Sequence, residues 1–423
     1  MSSARAPRAT KPIELDLSAA FDYQRGVGRA ELLAIAMQLD DARKSMLSAA
    51  IDGKDMAILW PQPCLQDYKR QRKSSQLGRI LHLARQLRDA VDRVVVLGPP
   101  AIVSAARALF AASCHPHHNE LSRGQRGGRP RIYFLAAEPD NDAVAALLEI
   151  LPRSRSLHSA EDRWGIIALD VRSNEVIQSS DLIRGLFLYL WEALQSTTTA
   201  DEETQLAAVV GPAQSPLIEF ADKIGIEAVI HPFAFCTLNS AFLFEPAVLL
   251  AGSVIGIDIV NLLRGAAAMT ERFATQPVGA NPIVDLAGLQ FLLAQHGIRG
   301  WRIASSASAL EPLAQCLHPA SGGDHLLVQW IVENHRHDRL QISMQSGKTL
   351  EGRPKKMERP LAGLVHGQLA EVRNARAATG QPTAVTRLPT IDEASIGQLI
   401  QMFSLASAVR QMLDGKAIPT PDS

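Results

Sequence analysis

The sequence has few cysteines and no excess of either charge, and both facts limit what the protein can be. Its four cysteines, Cys64, Cys114, Cys236 and Cys316, are widely spaced and form no Cys-x-x-Cys pair, which argues against a disulfide framework and a zinc site. Lysine plus arginine equals aspartate plus glutamate, at 43 each. The overall charge therefore gives no reason to expect nucleic acid as a partner. We expect no metal and no cofactor.

Long hydrophobic runs are also missing. The longest apolar stretch, Pro246 to Ile257, has about half of the roughly 20 residues that a membrane-spanning helix needs, and Asp258 follows it directly. The N-terminal residues Met1 to Pro12 are polar and basic and lack the apolar segment of a secretory signal. These observations predict a cytoplasmic protein with no membrane partner and a disordered N-terminal arm.

The residues that are present predict an α/β protein. At 423 residues with 47% hydrophobic side chains, the chain can form two or three domains and a large core. Short apolar runs typical of buried strands alternate with helical patterns. The strands are predicted at 94–97, 131–135, 165–169, 206–210, 226–230, 300–304, 324–332 and 383–388. Residues 57–60 are predicted to be extended, and the charged stretch 348–359 to be a surface loop. An amphipathic helix is predicted over 361–378.

The central part of the chain resembles the glucose-6-phosphate isomerase family. The resemblance rests on a helix of the serine-leucine-alanine-glycine type, on a Gly-Ile-Asp motif and on the Leu-Leu-x-Gly-Ala-x-x-Met pattern that follows it. The matching residues are Ser215, Leu217, Ala221, Gly225, Pro232, Gly256, Ile257, Asp258, Leu262, Leu263, Gly265, Ala266 and Met269. Near the C-terminus, Gly397, Leu399, Ile400 and Phe403 also match a family helix.

The resemblance implies two sugar-isomerase (SIS) domains, each a doubly wound parallel sheet flanked by helices, plus an N-terminal helical extension. The expected boundaries are 1–56 for the N-terminal arm and extension, 57–240 for the first domain, 241–281 for connecting buried helices and 282–423 for the second domain. It further implies an aldose-ketose phosphosugar isomerase that takes a sugar phosphate and forms a homodimer.

The functional motifs of the family are altered in this sequence. Where the family has a glycine-rich phosphate loop, the chain has Gly98-Pro99-Pro100-Ala101-Ile102, which offers fewer backbone donors. The family's Gly-Gly-Arg signature aligns with Leu238-Asn239-Ser240. The hydroxyl-rich turn after the third strand becomes 170–175, in which Glu175 would repel a phosphate. The residues left as phosphate-binding candidates are Arg172, Ser173, Asn174, Asn239 and Ser240.

A general base is also hard to place. The family's catalytic glutamate has no counterpart in 317–325, where His318 is a candidate because histidine titrates near neutral pH. His366 is a second candidate, and each histidine is also compatible with a purely structural role. The family's terminal lysine has no counterpart. A further cluster, His115, His117 and His118, precedes a Gly- and Arg-rich stretch at 122–130, which favours a solvated flexible loop over a metal site.

Two functions remain open at this stage. The first is a glucose-6-phosphate isomerase-like protein with weak, altered or lost catalysis, and the alternative is a non-catalytic protein that binds a metabolite or another protein. A crevice lined by Pro99, Pro100, Ile102 and Phe235 would favour the binding protein. Convergence of Ser173, Asn174, Asn239 and His318 would favour the enzyme.

Overall fold

The structure is a computed structural model, which describes residues 11–21, 27–51, 57–152, 163–170, 177–198, 203–230, 241–317, 324–337, 340–348 and 354–415. The strands in these residues are β1 Glu14–Asp16, β2 Arg93–Gly98, β3 Arg131–Ala136, β4 Trp164–Leu169, β5 Ala207–Gly211, β6 Glu227–Ile230, β7 Gly300–Ser305, β8 His325–Asn334, β9 Gln341–Lys348, β10 Pro354–Pro360 and β11 Thr383–Thr390.

The described helices are α1 Arg29–Ala34, α2 Ala36–Ile51, α3 Pro61–Gln71, α4 Gln76–Ala90, α5 Pro100–Ser113, α6 Asn141–Ile150, α7 Ile177–Gln195, α8 Pro216–Ile224, α9 Pro246–Val254, α10 Ile259–Thr275, α11 Pro282–Gln295, α12 Glu311–Leu317, α13 Leu361–Ala378 and α14 Glu393–Leu413. None of them is long and apolar enough to cross a membrane.

The first sheet has the strand order β3-β2-β4-β5-β6, and all of its strands are parallel. Val94 to Leu97 in β2 are fully buried, as expected for a strand covered by helices on both faces. The strand order reverses between β2 and β4. In sheets of this kind, such a reversal opens a crevice at the carboxyl ends of the strands, where ligands bind.

The second sheet has the order β1-β11-β8-β7, in which β7, β8 and β11 are parallel. The edge strand β1 pairs antiparallel with β11, with Glu14 opposite Arg387. The sequence pattern predicts only helix in this N-terminal segment, so β1 is a correction. It is held by Gln398 of α14, whose side chain accepts from Ile13 N at 3.2 Å and donates to Lys11 O at 3.0 Å.

A core of buried helices joins the two sheets. Every residue of α9 is buried, and Gly256 turns the chain into α10 with a φ of 86°. Helices α10 and α14 then cross closely, because a Cβ on Gly265 would lie 2.0 Å from Ala394 O and one on Gly397 would lie 1.9 Å from Leu262 O. Gly265 and Gly397 belong to motifs that carry the family resemblance. In this chain, the close crossing of α10 and α14 explains why glycine occupies both positions.

The structure corrects two further local predictions and agrees with a third. Residues 57–59 form a 3-10 turn ahead of α3 rather than an extended segment. The predicted loop at 348–359 is largely the antiparallel hairpin of β9 and β10. Helix α13 has the predicted bounds, and half-buried residues such as Ala362, Val365, Leu369 and Arg373 recur along one of its faces, as an amphipathic helix requires.

Candidate functional site

The crevice edge of the first sheet begins at the turn from β2 into α5. Pro99 is the N-cap of α5, with extended backbone angles of −58° and 146°, and Pro100 is its first residue. A helix N-terminus normally presents free N–H groups, which suit an anion. Proline has no N–H group, so two of these donors are missing. Pro99 is buried and Pro100 half-buried, whereas Ile102, at 2% exposed, belongs to the core instead of facing the crevice.

Gly98 is required at this edge for a packing reason. A Cβ at this position would lie 2.9 Å from Leu169 Cβ, at the end of the neighbouring strand β4. Distances below about 3.0 Å between such atoms force a neighbour to move. The glycine that aligns with the family's phosphate loop therefore lets β2 and β4 approach each other.

A buried carboxylate lies where β4 ends. Asp170 is 4% exposed, its Oδ2 accepts from Ser215 Oγ, and Arg184 Nε lies 3.6 Å from the same oxygen. Its Oδ1 has no hydrogen-bond partner among the residues described. Ser215 Oγ in turn accepts from Leu217 N at 3.1 Å and Ile218 N at 3.2 Å. The first turn of α8 is thus capped by a serine that is tied to a carboxylate, an arrangement unfavourable to a nearby phosphate.

Most of the candidate residues predicted from the sequence lie outside the described residues, and the structure does not test them. These are Arg172, Ser173, Asn174, Asn239, Ser240 and His318, together with Phe235 and Glu175. His366 is described, and it lies on α13, beside the second sheet. Its ring centroid is 5.9 Å from that of His335.

A cavity of about 870 Å³ opens at the carboxyl ends of β7, β8 and β11. Its lining comprises the serine-rich turn after β7, the end of α5 with the loop beyond it, the loop after β8, and the start of α13. The residues are Ser113, His115, Pro116, His117, Ser305, Ser306, Ala307, Ser308, Ala309, Glu311, His335, Arg336, His337, Leu340, Leu361, Ala362, Val365 and Ile391. The sequence predicts a strand before the serine-rich turn, but no functional role was predicted for the turn. Histidines directly after a parallel strand were a signal that could have found the rest.

The stretch that includes His118 is more ordered than the sequence predicts. His118 is buried and its Nε2 lies 2.9 Å from Pro130 O, while burial lowers the pKa of its imidazole. The Gly- and Arg-rich stretch is anchored by the buried Asp92, which pairs with Arg123 at 3.0 Å and with Arg126 and Arg131. Most of the stretch is exposed to solvent, as predicted, and the ion pairs of Arg123 and Arg126 fix its position beside Asp92. Across the described part of the chain, no group of three or more His, Cys, Asp and Glu side chains could hold a metal ion.

Comparison with known proteins gives no matching family model. Among curated proteins, the chain is 23% identical over 384 residues to the glucose-6-phosphate isomerase of Bacillus cereus strain AH187, covering 82% of this chain and 81% of the relative. The glucose-6-phosphate isomerase of Bacillus thuringiensis strain Al Hakam gives the same identity and coverage.

Solved structures share the fold. A hypothetical protein from Thermus thermophilus has a TM-score of 0.70 at 19% identity, covering 97% of this chain and 96% of that one. A glucose-6-phosphate isomerase from Chlamydia trachomatis has a TM-score of 0.58 at 12% identity, covering 82% of this chain and 70% of that one. The predicted α/β fold is confirmed, with helices flanking a parallel first sheet and a second sheet that is parallel except for its edge strand β1. The chain is thus similar, at low sequence identity, to the glucose-6-phosphate isomerases.

Proposed function

We propose that this chain is a glucose-6-phosphate isomerase-like protein in which aldose-ketose isomerase activity is strongly reduced or lost. The observation that carries the proposal is the start of α5, where Pro99 and Pro100 replace two backbone donors at the crevice of the first sheet. The buried carboxylate of Asp170 supports it, because a negative charge at this edge disfavours a phosphate. The sugar phosphate remains the ligand class that the family relationship suggests. A homodimer and a cytoplasmic location also remain predictions.

The alternative is a non-catalytic protein that binds a metabolite or another protein in the same crevice. The half-buried Pro100 favours this alternative, because its exposed part gives the edge an apolar character. The two functions differ in turnover and not in fold, so an activity measurement separates them.

The test is a coupled assay with glucose 6-phosphate and fructose 6-phosphate, run beside the Bacillus cereus isomerase as a positive control. Loss of one general base or one set of oxyanion donors typically costs about a hundredfold in rate. Because several such groups are altered, we expect kcat/KM to be at least about 10⁴-fold below that of the control enzyme. A value within tenfold of the control would contradict the proposal.

The role of Asp170 has a test of its own. Asp170→Asn keeps an acceptor for Ser215 and removes the charge, so inorganic phosphate should stabilise the variant more strongly than the wild-type protein in a thermal-shift titration. We expect at least a threefold lower apparent Kd. Asp181→Asn is the matched control, because Asp181 also pairs with Arg184, at 2.8 Å, but is exposed on α7. Equal phosphate affinity in the two variants would show that Asp170 does not control the crevice.

A further inference from the structure

The cavity at the second sheet is separate from the crevice of the first. The two lie at opposite ends of α5, since Pro100 begins that helix at the crevice and Ser113 ends it at the cavity wall. A helix of 14 residues is about 21 Å long. The carboxyl edge of a parallel sheet is a preferred ligand position, and a volume of about 870 Å³ suits a small molecule.

One wall of the cavity is apolar and exposed to solvent. Leu340 and Leu361 are 56% and 39% exposed, and Leu361 N donates to Leu340 O at 3.0 Å across the base of the hairpin. This bond holds the two leucines side by side. Val365 lies one turn further along α13 and extends the same wall. A ligand with an apolar body would cover side chains that are otherwise left in water.

Other residues of the lining carry donors and positive charge. Arg336 donates to the carbonyl groups of Ala112 at 2.7 Å, Cys114 at 3.4 Å and Ile391 at 3.4 Å, so no carboxylate among the described residues neutralises its guanidinium. His115 Nδ1 accepts from His117 N at 3.1 Å, which leaves the proton of a neutral imidazole on Nε2, as a donor. Ser308 is exposed and contributes a hydroxyl group. The acidic side chain among the lining residues is Glu311.

The histidines do not form a metal site. His115, His117, His335 and His337 all line the cavity, yet within the described ranges no three metal-binding side chains lie close enough to share an ion. Imidazole N–H groups beside a guanidinium suit an anion instead. We infer that this cavity binds an organic anion, in which a carboxylate, phosphate or sulfonate is attached to an aliphatic or aromatic body.

The probe for this site is 8-anilinonaphthalene-1-sulfonate, an aromatic anion whose fluorescence rises in apolar surroundings. Titration of the folded full-length protein should give saturable binding of one probe molecule per chain. Ser308→Asp places a negative charge among the polar residues of the lining. Ala362 is half-buried in the first turn of α13, and Ala362→Trp should fill part of the cavity. Each variant should lower the affinity at least fivefold. Ser74→Asp adds the same charge at an exposed position outside the cavity and should leave the affinity within twofold.

The melting temperature of each variant, measured without the probe, shows whether it is folded. For folded variants, a loss of less than fivefold in either Ser308→Asp or Ala362→Trp would overturn the inference. Failure of the wild-type protein to bind the probe saturably would overturn it as well. The isomerase assay does not enter this test, so the inference stands or falls independently of the proposed function.

Discussion

The buried carboxylates of this protein differ in how their charge is balanced. Asp92, at 2% exposed, faces three arginines, whereas Asp285, at 7% exposed, accepts mainly from the backbone N–H of Gly279 at 2.7 Å. Arg29 only partly offsets the burial of Asp285, and the pKa of Asp285 is raised to about 6. Burial without a close cation favours the neutral acid. Asp285 is therefore a carboxylate that weakens the fold when it is charged.

Replacing Asp285 by asparagine should stabilise the protein at neutral pH. Asparagine can still accept from Gly279 N, and it removes the cost of a buried charge. Because the pKa is higher in the folded state than the ordinary value of 3.8 for an unfolded chain, the wild-type protein loses stability as the pH rises through about 6. The gain from Asp285→Asn should reach at most about 3 kcal/mol at pH 8.

Urea unfolding at pH 8 and pH 4.5 measures this effect. The difference between Asp285→Asn and the wild-type protein should shrink markedly at pH 4.5, where Asp285 is largely protonated in the folded state. Asp41→Asn, at an exposed position on α2, should show neither the gain nor its pH dependence. A gain of equal size at both pH values would contradict the assignment to ionisation.

At the level of elements, the crossing of α10 and α14 depends on two glycines. Gly265→Ala and Gly397→Ala each place a methyl group against a backbone carbonyl of the opposite helix. Backbone atoms cannot move aside as easily as the end of a flexible side chain. Each variant should therefore lower the free energy of unfolding by about 1–3 kcal/mol or more. Gly363→Ala is the matched control, because open space surrounds Gly363 on α13. It should be neutral or gain up to about 1 kcal/mol, and a similar loss there would refute the packing argument.

Helices and strands whose apolar residues recur at a regular spacing are predicted well from the sequence. The helix that Ser215 caps, the strand at 94–97 and the helix at 282–295 fall where the residues place them, because the buried residues of each follow a regular pattern and each has a clear boundary residue. The hairpin of β9 and β10 was missed because its strands are polar and carry lysine and proline, as loops do. Strand β1 was missed because three residues give too short a pattern, and its pairing depends on β11, more than 360 residues further along.

The site was less predictable than the fold. Asp170 could be located after a strand, but its burial depends on contacts with Ser215 and Arg184, which no local pattern records. The cavity of the second sheet combines residues of α5, β7 and α13 with residues that follow α5, β7, β8 and β11. Its assembly follows from topology, since the carboxyl ends of parallel strands meet at one edge.

At the scale of the whole molecule, distant parts of the chain are joined by single side chains. Arg336, beyond β8, donates to carbonyl groups at the end of α5, and Gln398 of α14 binds the backbone on both sides of residue 12. Arg336 thereby links the loop after β8 in the second sheet to α5, which packs against β2 and β3 of the first sheet. We therefore expect the two sheets to unfold together.

Removal of Gln398 should release the N-terminal strand. Gln398→Leu leaves the buried N–H of Ile13 without its acceptor, at a cost of about 1–3 kcal/mol. Hydrogen exchange of the amides at 13–16 should accelerate at least tenfold, while exchange in β2 stays nearly unchanged. Gln411→Leu, more than three turns further along α14, is the control. Equal exchange at 13–16 in the two variants would show that Gln398 does not hold β1.

The large sequence separation between Gln398 and its hydrogen-bond partners also affects how the chain folds. The bond from Ile13 to Gln398 joins residues 385 positions apart, and α14 also covers the apolar helices α10 and α11. Such distant pairings form late and slow the search for the native state. Until α14 arrives, the apolar faces of α10 and α11 are open to neighbouring chains. Refolding from denaturant should therefore be slow, and its yield should fall as the protein concentration rises.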